Sequence, residues 1–141
     1  MFVQRGLEDG NAAVIFSKLA FSKSSNGEVK ALAQRVVEKH LAMGGGLVQD
    51  AKSFGVPVPK GLSSRYSQQY QDLNKLTGDD FDKAYLATLL KLQHDDYEDM
   101  QDESKASKVP HIQDETEKNL TTLSQLDSDT EKLSKKLAGK K

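Results

Sequence analysis

Two histidines, His40 and His94, each fall in the middle of a long amphipathic pattern. Imidazole is the commonest protein metal ligand, and the interior of a helix bundle is where metals and cofactors are usually held. If both rings face one interior, they form a weak site for a divalent transition metal, and they are the candidate metal ligands of the chain. Such a site also wants converging carboxylates and groups that hold each ring. Di-iron bundles carry Glu-x-x-His on two helices. Here the residue three before His40 is Val37, before His94 is Lys91, and before His111 is Lys108. That disfavours ferroxidase or oxygenase chemistry, and the chain reads as a non-enzyme. The plainer reading, which is favoured, makes His40 and His94 hydrogen-bonded bundle residues with no resident cofactor.

An acidic run follows His94: Asp95, Asp96, Glu98, Asp99, Asp102 and Glu103, with no basic residue inside it. Asp95, Asp99 and Asp102 share one helical face, so like charges repel at i,i+4. The run lies toward a helix C-terminus, where the dipole disfavours anions. Lysines such as Lys105, Lys108 and Lys118, salt, or a bound cation must offset it. The spacing is not that of an EF-hand loop. A solvated face sensitive to ionic conditions is the expectation. Gly44-Gly45-Gly46 interrupts another helix at about 1 kcal/mol per glycine relative to alanine. A close approach, a flexible joint and simple tolerance are the three readings, and tolerance is preferred.

Other chemistry is absent from the sequence. No serine sits in a nucleophile elbow, and no phosphate loop or dinucleotide fingerprint occurs. Zero cysteines exclude disulfides and thiolate sites. The net charge of −1 gives no footprint for nucleic acid or an anionic membrane. No run approaches the roughly 20 apolar residues of a membrane helix. No signal-peptide pattern is visible, since Met1 leads straight into an amphipathic stretch. The sequence names no partner; a homo-oligomer or an envelope protein would suit it.

These residues need elements to place them. At 141 residues with 36% apolar and 29% charged side chains, one domain of long, solvated helices is expected. Prolines occur only at 57, 59 and 110. The first helix is predicted over 2–22, with Val3, Leu7, Gly10, Val14, Ser17 and Phe21 as its stripe, flanked by Ile15, Leu19 and Ala20. Ser25 and Glu28 have capping-box spacing for the second helix. That helix carries Val29, Ala33, Val36, His40, Met43, Leu47, Ala51 and Phe54 on one face, and Gly55 and Pro57 stop it. A loop over 55–62 leads to a short helix over 63–76. Thr77 and Gly78 end it, and a helix over 79–104 follows. Pro110 suits the first turn of the last helix, which runs to about 137 with Leu120, Leu123, Leu126, Leu133 and Leu137 inward. Thr116 and Thr130 on that face predict looser packing. The whole is an all-α, antiparallel four-helix bundle over 1–137, with a short extra helix in the crossover between the second and third long helices and a basic, frayed tail at 138–141.

The order of several segments resembles a bacterial family, domain-of-unknown-function family forty-one forty-two. The likeness covers nearly the whole chain. It rests on Phe2-Val3-Gln4, Lys18-Leu19-Ala20, Val29 to Arg35 followed by His40, Phe54 to Pro59, Leu73 to Gly78, and Phe81 to Leu86 followed by His94. The resemblance implies a ferritin-like bundle of the periplasm or cell envelope, structural or stress-related, although no export signal is present. His40 and His94 match the family pattern. Ala13 stands where the family usually has Glu, Lys39 where it has Asp, and Thr121, Leu123 and Leu126 where it has Pro, Leu and His. A metal site in the family would therefore be depleted here.

Overall fold

The computed structural model describes residues 2–53, 55, 58–106 and 110–139, with side chains for all of these except 2–4 and 103–113. What the sequence predicts for the side chains of Val3, Phe54, Pro57, Glu103, Lys105, Lys108 and His111, and for Lys140 and Lys141, lies outside the described residues. The chain is all-α: α1 (Phe2–Lys23), α2 (Gly27–Ser53), a 3-10 turn (Ser64–Tyr66) running into the short α3 (Ser67–Asn74), α4 (Gly78–Ala106) and α5 (Pro110–Ala138). No strand occurs among the described residues. Among the described residues, no helix is long and apolar enough to cross a membrane.

The helix ends have local causes. Asn26 caps α2: its Oδ1 accepts hydrogen bonds from the backbone N–H of Glu28 at 2.9 Å and of Val29 at 3.2 Å. This corrects the assignment to Ser25, because Asn26 is the residue directly before the first helical turn and asparagine is a strong N-cap. Helix α2 stops where Gly55 takes φ +69°, a left-handed conformation that suits glycine.

α1 packs along α2 and α4, and α5 along α4 and α2. The larger core cluster gathers Phe16, Leu32, Val36, Tyr85, Leu86 and Leu89. A smaller one, toward the other end, holds Leu7, Met43, Leu47, Met100 and Leu123. The inward face of α1 keeps Leu7, Ser17 and Ala20 of the prediction and is otherwise rotated from the predicted stripe. Leu7, Asp9, Ala12, Ala13, Phe16, Ser17 and Ala20 are buried, whereas Phe21 is 49% exposed, with the Lys30 ammonium 5.4 Å from its ring centre. Ala12, Ala13 and Ala20 let neighbouring helices come close, so the small side chains select the buried face over the larger Val14 and Phe21. Thr130, fully buried, donates to the Leu126 carbonyl at 2.7 Å and lies 3.2 Å from Gln93 Oε1. The hydroxyl that predicted looser packing is thus satisfied within the core.

Candidate functional site

A cavity of about 470 Å³ opens between α1 and α2, and α4 adds Asp96 and Met100 to its lining. Its walls owe their shape to missing side chains: Gly6 and Gly10 on α1, Gly44 and Gly45 on α2. His40 reaches it from α2 and is only 5% exposed. The ring packs under α1, where its Nδ1 lies 3.6 Å from the position a Cβ on Gly10 would take. Nε2 is buried and has no hydrogen-bond partner among the described residues. Burial pushes the imidazole down to about 4, so the ring is neutral at physiological pH with a lone pair to offer.

Beside the cavity lies a set of buried acids. Asp9, on α1, is fully buried; its Oδ1 accepts from the Tyr66 hydroxyl and from the Arg65 guanidinium, the latter at 2.6 Å. Arg65 also lies 3.7 Å from Glu8 and 4.8 Å from the Tyr66 ring centre. The 3-10 turn that carries Arg65 and Tyr66 therefore caps the acids of α1. Desolvation still lifts the Asp9 carboxyl to about 7; the Tyr66 bond and the Arg65 charge pull it down, and Asp99 pushes it up. Asp96, on α4, is 1% exposed, and neither carboxylate oxygen has a partner among the described residues. Desolvation first, then the charges of Asp9 and Asp99, raise it well above the usual carboxylate range, against the pull of Arg65. Burial and the Asp9 carboxylate likewise raise the Tyr66 phenol.

The two candidate metal ligands part company. His94 is 68% exposed at its side chain and pairs with Glu98 at 3.2 Å, one turn along α4. It does not line the cavity of His40. The inward positions of α4 are Phe81, Asp82, Tyr85, Leu86, Leu89, Leu92, Gln93, Asp96 and Met100. That stripe turns His94 outward and brings Gln93 and Asp96 in, which corrects the expectation of two imidazoles in a shared interior.

The acidic face divides in a similar way. Asp95 and Asp99 are half-buried and Asp102 is exposed. Asp95 adds negative potential at Tyr66. Asp99 pairs with Arg5 at 3.5 Å. Countercharges seen around the run are thus Arg5 from α1 and Arg65 from the turn before α3, while Lys118 is exposed. Among the glycines, a Cβ on Gly44 or Gly45 would meet nothing, whereas one on Gly46 would overlap the Glu115 carboxylate of α5. Tolerance holds at the first two and close approach at the third.

Sequence reasoning missed Asp9, Asp96, Arg65 and Tyr66 as a group. The signal for Asp96 was its register: four residues after Leu92 and four before Met100, it sits on the apolar stripe. Asp9 is likewise three before Ala12 and four before Ala13. Among the described residues, no three His, Cys, Asp or Glu side chains converge closely enough to cage a metal ion. The side chains at the cavity that carry donor atoms are the His40 imidazole, the Asp96 carboxyl, the thioethers of Met43 and Met100, the carboxamides of Asn11 and Gln49, and the Lys52 amine.

The family is then decided by direct comparison. A domain of unknown function, DUF4142, matches residues 1–133. The chain belongs to that family. No curated protein matches it. Solved structures share its fold, two helical proteins among them. A DUF305 protein of Streptomyces coelicolor, described as secreted, aligns with TM-score 0.84 at 12% identity, over 99% of this chain and 91% of its own. CopM in its Cu(II)-bound form aligns with TM-score 0.79 at 13% identity, over 96% and 94% respectively. At such identities the likeness is one of helical fold, and DUF4142 itself names no activity.

Proposed function

We propose that this DUF4142 protein is a non-enzymatic helical bundle of the cell envelope that holds a transition-metal ion at His40. On this reading the four long helices form an antiparallel, ferritin-like bundle, with the short α3 in its crossover. The observation that carries the proposal is the His40 Nε2, buried at a cavity and without a hydrogen-bond partner. A buried polar atom left unpaired costs about 1–3 kcal/mol, and a bound ion would remove that cost. The residues fit a metal in kind, since a neutral imidazole is a ready ligand and the cavity gives it a route of entry. The shared fold of CopM, observed with Cu(II), makes copper the first ion to try. The donor set lacks the carboxylate–histidine groups of di-iron catalysis, which supports storage or sequestration over turnover. The described secretion of the DUF305 relative, together with the family resemblance, supports an envelope location, which cell fractionation tests.

Equilibrium dialysis against copper, zinc and iron tests the metal reading. One copper per chain, bound more tightly than millimolar and lost in His40→Gln with helicity unchanged, is the expected result. No ion binding at that strength, or equal binding by His40→Gln, overturns it.

A further inference from the structure

We infer that the His40 cavity selects a soft monovalent ion, Cu(I), taken by the His40 imidazole together with the thioethers of Met43 and Met100. The inference rests on the metal reading above and adds the oxidation state and two ligands. The chain has three methionines, and the two beyond Met1 both line this one cavity. They come from different helices. Met43 lies three residues after His40, on the same face of α2, and Met100 belongs to α4. Both are nearly buried, at 8% and 3% exposure. Thioether sulfur is a soft, uncharged donor that favours Cu(I), and imidazole accepts either oxidation state of copper. A hard divalent ion would want several carboxylates or imidazoles together, and no such group of three exists among the described residues. Leu7, Leu47 and Val48 make part of the cavity wall apolar, beside Asn11, Gln49, Lys52 and Asp96.

Methionine also fills irregular gaps in cores with no ligand role at all. Met→Leu substitutions conserve volume and remove only the sulfur, so they separate the two roles. Cu(I) is presented under anaerobic reductant against a chromophoric Cu(I) chelator, with Ag(I) as a redox-inert second probe and Cu(II) and Zn(II) run in parallel. The expected result is Cu(I) capture by the native protein, weakened at least about tenfold (1.4 kcal/mol) in the Met43→Leu/Met100→Leu double variant. Cu(II) and Zn(II) binding should be unchanged in that variant. X-ray absorption on the native protein should show sulfur in the copper shell, a result that needs no variant to fold. Full Cu(I) affinity without the two sulfurs, or a copper shell of nitrogen and oxygen alone, overturns the inference while leaving the metal reading intact. Binding of Zn(II) without copper in either oxidation state likewise overturns only the inference, whereas absence of binding by every ion tested overturns the metal reading itself.

Discussion

Gly10 and His40 meet across the α1–α2 interface, with the imidazole Nδ1 3.6 Å from the place where a side chain on Gly10 would begin. That spacing is ordinary van der Waals contact, so a methyl group fits. Gly10→Ala should therefore raise stability by up to about 1 kcal/mol through helix propensity, read as a higher Tm. Gly10→Leu places three further carbons in the cavity and should lower metal affinity while the helices remain. Equal metal binding by both variants would show that the ring does not meet its ligand in this cavity.

The buried acids set the pH response. Asp9 titrates at about 7 when folded against an ordinary 3.8, and Asp96 is raised in the same sense. The folded chain then keeps protons that the unfolded chain has released, so these two groups lose stability as pH rises from about 4 to 7. His40 acts in the opposite sense: its folded value of about 4 lies below 6.5, so its contribution grows with pH across that interval. Above pH 6.5 the His40 contribution fades as the unfolded imidazole gives up its proton, and the acids dominate. Thermal melts should show Tm rising as pH falls from 8 to 6.5, by the equivalent of about 1 kcal/mol. Asp96→Asn should flatten that slope and raise Tm at pH 8. A Tm that falls from pH 8 to 6.5 would contradict this account of the acids.

The helices were legible because period and punctuation agree along this chain. Asn26-Gly27, Gly55 and Thr77-Gly78 stand at helix boundaries, and the inward residues of α2 follow a helical stripe from Val29 to Ala51, with Leu32 and Asp50 widening it. The site was legible only in part. His40 is inward because Val36 and Met43 flank it at helical spacing. His94 is not, because α4 carries apolar residues on more than one edge, and its neighbours Gln93 and Asp96 hold the stripe instead. A run of six acids reads as solvated by composition, and tertiary packing overrides that for Asp96. Arg65 and Tyr66 meet Asp9 across 56 and 57 residues of sequence, a distance at which no local pattern speaks.

Arg65 holds the acids of α1 in place. Arg65→Leu removes a guanidinium that is itself 40% exposed, so solvent screens part of its effect. The loss should be about 1–3 kcal/mol at pH 8, and smaller at pH 6, where Asp9 takes up a proton instead. Chemical denaturation at the two pH values measures the difference. Equal losses at both would separate Arg65 from the ionisation of Asp9.

The three consecutive glycines should behave unequally. Gly44→Ala and Gly45→Ala meet open space and should each add up to about 1 kcal/mol of stability. Gly46→Ala must move the Glu115 side chain of α5 and should gain less or lose stability. Three equal gains in denaturant midpoint would mean that α5 does not approach α2 at Gly46.

Imidazole nitrogen NMR reads the central claim most directly, since the chain has only three histidines to resolve. Adding one equivalent of Ag(I) should shift the His40 Nε2 resonance and leave that of His94 in place. A bound ion that moves His94 while the His40 nitrogens stay where they were would contradict the assignment of the metal to the α1–α2 cavity.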